Sequence, residues 1–475
     1  MSAGPAETPS PFGDLGYARG SIRFEPGGIR LVRRPGGRPP AGSFYPYSDI
    51  THIDLGPRAI WLGLYKNTLV LRRKHFAQGD GPERLARGLA REIALQPGGA
   101  AQWARIQEVD RLAARPAPRI ATTGVVLLCA ALMALQLADP FVQDVGSFVP
   151  GLFAAGEWWR IVSANLLHSL ALFPTHVVVN SILILGFALL VERPLGPLRT
   201  LVVMALAGVG AMAASSLAGY SEVIGASGLA AGLVGAELAL ELHFAERLPA
   251  SWRLSRPFFL AVLLLQAAID LALPLVAGAA HLGGFLVGYV VAFGLAPDAL
   301  ARRRPSPRLR AAGIVVAVFT VASLAAPVPI LLRDGAALSR HATALLAIRD
   351  FPAHRYNDLA WRMATETTLS KGQTELAIAL AERAVSETER RNPDVLDTLA
   401  EALFVAGDSR GALSVIDEAI GLTDGEAYFV EQRRRFTGER AADDRPEPPY
   451  APWMLRRPEA MEPMPGLDPS KGVEI

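Results

Sequence analysis

The spacing of apolar positions changes character three times along the chain. From Gly20 to about Phe76 it alternates in short runs, SIRF, GIRLVRR, DITHIDL, AIWLGLY and NTLVLRR, punctuated by Gly, Pro and Asn. That pattern predicts a string of antiparallel strands. PERLARGLAREIAL, Pro82 to Leu95, follows with proline in its first turn and Leu85, Leu89 and Ile93 at helical spacing. Seven apolar runs come next, at about 120–138, 170–191, 198–218, 227–244, 257–276, 279–296 and 310–332, each near the roughly 20 residues that cross a hydrocarbon core. Past Leu332 the spacing is that of soluble helices, and two blocks align about 35 residues apart. Trp361, Gly372, Ala377, Ala381 and Ala384 recur as Leu396, Gly407, Ala412, Ile416 and Ala419. Two such repeats rarely stand alone, so a degenerate third is expected near Arg340 to Tyr356.

The pattern divides the chain into a flexible tail (1–16), a strand domain (17–97), a linker helix (98–119) and a six-span core (120–300). A seventh span (310–332), a helical-repeat domain (335–436) and a Pro-rich disordered tail (437–475) complete it. The expected fold class is mainly α: a polytopic membrane bundle with a small β-barrel-like domain before it and helical repeats after it.

Composition narrows the function. Half of the 475 residues are hydrophobic (51%) while both ends are polar, which implies a membrane core with soluble appendages. The net charge of +2 gives no reason to invoke nucleic acid. One cysteine, Cys129, lies in an apolar run and supports neither a disulfide framework nor a thiolate metal site. No cofactor or metal is expected. The first thirty residues hold no apolar stretch, so no cleavable signal peptide is expected. If the spans alternate, Arg119, Arg193, Arg199, Arg247, Arg253, Arg256, Arg302 to Arg304, Arg308 and Arg310 share one side with Arg115, against Arg160 and Arg333 on the other. By the positive-inside rule the amino terminus is then cytoplasmic and the carboxyl terminus extracytoplasmic, in a bacterial cell membrane.

Polar side chains within hydrocarbon are costly, and their default reading is functional. Here they are His176, Asn180, Ser227, Glu237, Asp270 and His281. His176 and Asn180 lie four apart on one helix face in the second span, Ser227 opens the fourth, and His281 stands near the start of the sixth. All four share one depth near the outer face. Ser227, at a helix start where N–H groups are unpaired, suits a developing negative charge, with neutral His281 as its base. His176, the Asn180 amide and the Ser227 N–H could serve a tetrahedral oxyanion. No carboxylate is expected beside the histidines, so the reading is a dyad. Gly225, Gly228, Gly284 and Gly288 are equally consistent with plain close packing of helices.

EWWRIVSANLLH (Glu157 to His168), HVVVN (His176 to Asn180), ERPLG (Glu192 to Gly196), GASGLAAGLVG (Gly225 to Gly235) and AHLGGFLVG (Ala280 to Gly288) together resemble the rhomboid family of intramembrane serine proteases. The resemblance covers about residues 120–300. It implies Ser227 as nucleophile, His281 as base, and His176 and Asn180 in the oxyanion site. It further implies that Trp159 and Arg160 belong to a partly embedded loop, with His168 orienting that loop. Glu192 and Gly196 would brace the inner end of the second span, and Gly284 and Gly288 would bring base to nucleophile. Substrates would be transmembrane proteins. The strand domain resembles a bacterial pleckstrin-homology-like barrel, and the repeats resemble tetratricopeptide units that bind a protein partner. Arg72, Arg73 and Lys74 are read as a solvated edge strand.

Two rival readings stand beside this one. A transporter could use Glu237 and Asp270, although pairing within the bundle accounts for Glu237. A catalytically silent scaffold could keep the fold without the chemistry.

Overall fold

The computed structural model describes residues 13–447 except 19, 34–42, 115–118, 274–275 and 350. Most of the expected amino-terminal tail, Arg115 and the Pro-rich stretch from 448 lie outside the described residues.

Strands β1 (Leu15–Tyr17), β2 (Gly20–Glu25), β3 (Gly28–Arg33) and β4 (Ser43–Pro46) pair antiparallel in that order. A second sheet holds β5 (Ile50–Leu55), β6 (Ala59–Leu64) and β7 (Thr68–Arg72). Alternation explains the inner face: Ile22 and Phe24 are buried while Arg23 between them is exposed. Helix α1 (Gly81–Leu95) lays Leu85, Leu89 and Ile93 on this core together with Ile60 and Leu62. The segment read as a linker is helix α2 (Gly99–Ala113), and it is part of the domain. Its Gln102 Nε2 donates to the carbonyls of Tyr47 (2.7 Å) and Ile50 (2.8 Å), and Ile106 joins the sheet core. Leu112, at its far end, belongs to the membrane core.

That membrane core begins with α3 (Ile120–Ala138). A long connection carries the short helices α4 (Phe141–Gly146), α5 (Pro150–Ala154) and α6 (Arg160–Ser163). Then follow α7 (Thr175–Leu195), α8 (Pro197–Leu217), α9 (Ser227–His243), α10 (Arg256–Ala272), α11 (Gly278–Leu300), α12 (Pro307–Ala325) and α13 (Val328–Leu331). Among the described residues, six helical stretches are long and apolar enough to cross a membrane, which makes this an integral membrane protein. Helix α9 is the exception. Its 17 residues reach only about 25 Å, and it is enclosed by α7, α8 and α11. Its neighbour α10 is the opposite, with Phe259 its only fully buried residue among those described. Lipid, not protein, must cover such a helix.

The first turn of α3 leaves unpaired N–H groups that a carboxylate can satisfy. Glu192, near the end of α7, does so, accepting from Ala121 N (2.8 Å), Thr122 N (3.0 Å) and Thr122 Oγ1 (2.6 Å). Gly196, at φ +79°, makes the sharp turn into α8.

Beyond the bundle lie α14 (Gly335–Leu346), α15 (Ala353–Glu366), α16 (Lys371–Glu387), α17 (Pro393–Val405), α18 (Ser409–Leu422) and α19 (Ala427–Thr437). Trp361 and Leu396 occupy α15 and α17, the first helices of two successive pairs. No third pair forms near Arg340 to Tyr356 among the described residues, which place the end of α14 and the start of α15 there. These helices do not stand apart from the bundle. Phe141, Val145, Val149, Leu152 and Trp159 of the α3–α7 connection share one hydrophobic core with Leu338, Leu345, Tyr356 and Leu359.

Candidate active site

The loop before α9 is fixed to the α3–α7 connection by backbone bonds. Phe148 and Val223 exchange N–H···O bonds of 2.9 Å, and Gly225 N donates to Ala164 O (2.8 Å). Gly225 stands at φ +130°, a conformation open to glycine. A Cβ added there would lie 2.7 Å from His176 Nε2 and 3.7 Å from Asn180 Nδ2. The backbone just ahead of Ser227 therefore runs directly beneath the two side chains of α7.

Those side chains present donors. Ser169 N–H points at His176 Nδ1 (3.4 Å), which makes Nδ1 the acceptor and leaves the ring proton on Nε2, facing Gly225. Asn180 is buried, and its Nδ2 has no hydrogen-bond partner. A buried amide without a partner costs on the order of 1–3 kcal/mol, so an acceptor arriving there would be welcome. His168 is buried edge-to-face against His176, with ring centroids 5.1 Å apart. Gln136 of α3 holds its backbone, donating to His168 O (2.7 Å) and accepting from His168 N (3.1 Å).

Ser227 is the first residue of α9 and is partly exposed. The next residue, Gly228, meets α11 at backbone distance. A methyl on Gly284 would strike the Gly228 carbonyl, and one on Gly288 would strike that of Gly232. The seam admits nothing larger than glycine, and it fixes the relative height of the two helices. His281 lies one turn before Gly284 on α11. Its Nδ1 is 2.8 Å from Asp270 Oδ1 on α10 and 3.2 Å from Gln266 Nε2, while Gln266 Nε2 also donates to Asp270 Oδ1 (2.8 Å).

The connection that carries Trp159 and Arg160 is built around buried polar bonds. Trp159 Nε1 donates to Val145 O (3.0 Å), and Arg160 donates to Glu157 Oε2 (2.6 Å), Asp144 O (2.9 Å) and Ser147 O (2.6 Å). Glu157 also meets His341 Nδ1 of α14 (2.7 Å). Burial opposes charge on Glu157, but the Arg160 guanidinium and the His341 ring outweigh it and hold the carboxyl below its usual range. Arg355 of α15 ion-pairs with both Asp144 and Glu222, the latter at 2.6 Å.

A rhomboid domain model matches residues 155–298. The putative rhomboid protease YdcA of Bacillus subtilis (strain 168) is 35% identical over 30% of this chain and 68% of its own length. The chain belongs to the rhomboid family. Its relatives also include RHOMBOID-like protein 5 of Arabidopsis thaliana, 30% identical over 34% of this chain and 52% of that protein. RHOMBOID-like protein 6, mitochondrial, of the same plant is 32% identical over 29% and 43%. The chain thus spans about half, or less, of the plant relatives it matches. The rhomboid match ends before α12 and excludes both soluble modules.

Every residue singled out as a rhomboid motif lies inside the matched region, and His176, Asn180, Gly225 and Ser227 come together at one end of α9. Two expectations are corrected. A carboxylate does stand with the histidines: Asp270 touches His281, where a bare dyad was expected. A fifth span drawn to 276 sinks Asp270 into it, whereas α10 ends at Ala272 and Asp270 sits in its last turn, level with His281. Glu237 fails its expectation the other way. It is 1% exposed and neither carboxylate oxygen has a hydrogen-bond partner, so the pairing assumed for it is missing.

Proposed function

We propose that this rhomboid-family chain is an intramembrane serine endopeptidase that cuts transmembrane segments of other proteins. The observation that carries the reading is the convergence of His176 Nε2–H and the unpartnered Asn180 amide on Gly225, beside a serine that opens a helix. Ser227 Oγ attacks the scissile carbonyl carbon, and its proton passes to His281 Nε2 as the carbonyl electrons move onto oxygen. That oxyanion lies among the His176 ring N–H, the Asn180 amide and the Ser227 N–H, each donor worth roughly 3–4 kcal/mol in such sites. Collapse of the intermediate breaks the C–N bond, with His281 returning the proton to the leaving amine. Water then repeats the sequence on the acyl-serine.

A substrate span has to leave its helix before it can be cut, because extended backbone in lipid has unpaired hydrogen-bonding groups. Helix α10, held least by its neighbours, offers the natural side entrance. In our reading the strand module is pleckstrin-homology-like and cytoplasmic, as the arginine distribution requires. The outer helices are tetratricopeptide-like and present partners or substrates. Transport through paired carboxylates is the weaker alternative, since Asp270 is engaged by His281 and the Glu237 carboxylate has no hydrogen-bond partner among the described residues. The deciding experiment follows cleavage of a reporter span in vesicles by the full chain and by Ser227→Ala. We expect cleavage to vanish with the hydroxyl. Product formed at an undiminished rate by the alanine variant ends the proteolytic reading and leaves a scaffold.

A further inference from the structure

Asp270 is held in place from three directions. Gln266, one turn earlier on α10, donates to the same Oδ1 that faces His281. Gly278, opening α11, lies so close that a Cβ there would be 3.0 Å from Asp270 Cβ and 3.5 Å from its Cγ. The side chains of Asp270 and His281 are only 18% and 12% exposed. A carboxylate standing in free solvent contributes little to a neighbour; this one does not stand in free solvent.

The contact dictates the form of the imidazole. An ionised carboxylate can only accept, so the atom of His281 that meets it, Nδ1, carries the ring proton. The lone pair is then on Nε2, the nitrogen that must take a proton from Ser227. Gln266 does not reverse this: its Nε2 donates to Asp270 Oδ1 at 2.8 Å and lies farther, at 3.2 Å, from His281 Nδ1, whose shorter contact is the 2.8 Å one to the carboxylate. Resting on the proteolytic reading above, we propose that Asp270 is a positioning residue for that reaction, completing a Ser227–His281–Asp270 relay across α9, α11 and α10. The aspartate fixes the tautomer and ring angle of His281 before the attack. Once Nε2 has accepted the serine proton, its negative charge faces the imidazolium; the Nδ1 proton stays on the ring throughout. Because α10 has few other anchors, this is also the bond through which the loosest span is joined to the reacting groups.

The test compares the full chain with Asp270→Asn, Asp270→Glu and Gln266→Leu in vesicles, reading kcat, KM and the pH profile of kcat/KM on a reporter span, with Ser227→Ala as the blank. Asp270→Asn is isosteric and is expected to lower kcat by about 10²-fold or more, within the range of general-base contributions, with KM little changed. Its acid limb is expected to move to lower pH, because the imidazolium has lost its counter-charge. Asp270→Glu is expected to regain part of the rate. An Asn variant matching the unaltered chain in both kcat and acid limb would overturn the proposal while leaving proteolysis intact. Cleavage by Ser227→Ala would instead remove the underlying reading. Should the Asn variant yield no folded protein, Gln266→Leu carries the test: a smaller fall in kcat with KM held is expected, and an unchanged rate and profile overturns the proposal.

Discussion

The two modules that flank the spans attach to the same membrane bundle by different means. On one side, the strand domain meets the connection between α9 and α10 through polar bonds. His52 Nδ1 accepts from Ala250 N (3.0 Å), the ring being held within the domain by Asp110 at Nε2 (2.8 Å), and Arg253 donates to Leu64 O (2.8 Å). Its own apolar core, from Leu15 to Ile106, stays separate from that of the bundle, which α2 reaches through Leu112. On the other side, α14 to α19 share a single core with the α3–α7 connection and add ion pairs that are themselves buried. Water can replace most of what the first junction loses on separation. It cannot replace the second, where parting would bare apolar side chains and strand charges. One module is thus an appendage, and the other is a wall of the site, since Glu222 lies in the loop that delivers Ser227.

The largest expected effect comes from Arg355→Leu. It leaves Asp144 and the 4%-exposed Glu222 facing each other without their shared cation, a change worth about 3–5 kcal/mol when one partner of a buried pair is removed. Thermal unfolding in detergent should record that loss, and reporter cleavage should fall with it. A loss under about 1 kcal/mol would show that the outer helices are only leaning on the bundle. Acid should act next. Glu157 has a lowered pKa in the folded protein, so its contribution is fully present above the ordinary glutamate value of 4.5 and is lost as pH falls through the folded value. The junction between α14 and the α3–α7 connection should therefore become protease-sensitive below that pH before the bundle unfolds. Sensitivity that is flat from pH 7 to pH 3 would contradict it. The smallest effect is expected from His52→Ala, which leaves Ala250 N–H unpaired and costs about 1–2 kcal/mol of strand-domain attachment. Reporter cleavage should be unaltered, and a tenfold loss would place the strand domain inside the working enzyme.

Much of the bundle is legible in the sequence because lipid demands it. Long apolar runs had to exist, and within them each polar side chain stood out as an exception, which is how Ser227, His176, Asn180 and His281 could be selected. Asp270 was seen but misplaced, because residues past the end of α10 are as apolar as those within it, and hydropathy gives no sign of where a helix stops. The outer junction left still less trace. Arg355, His341, Asp144 and Glu222 belong to no periodic pattern or motif that marks them, and only folding shows which of them pair with one another or with Glu157. Nothing in the periodicity distinguishes a carboxylate with a partner from one without, and so Glu237 was credited with a pairing it lacks.

The shared outer core also sets an order of manufacture. Phe141, Val149 and Leu152 leave the ribosome well before the helices that cover them, and they must wait, sheltered by lipid or a chaperone, while the remaining spans insert. A message cut short after α12 would therefore yield a bundle with a bare greasy collar, prone to clumping and quick disposal, in place of a smaller stable bundle.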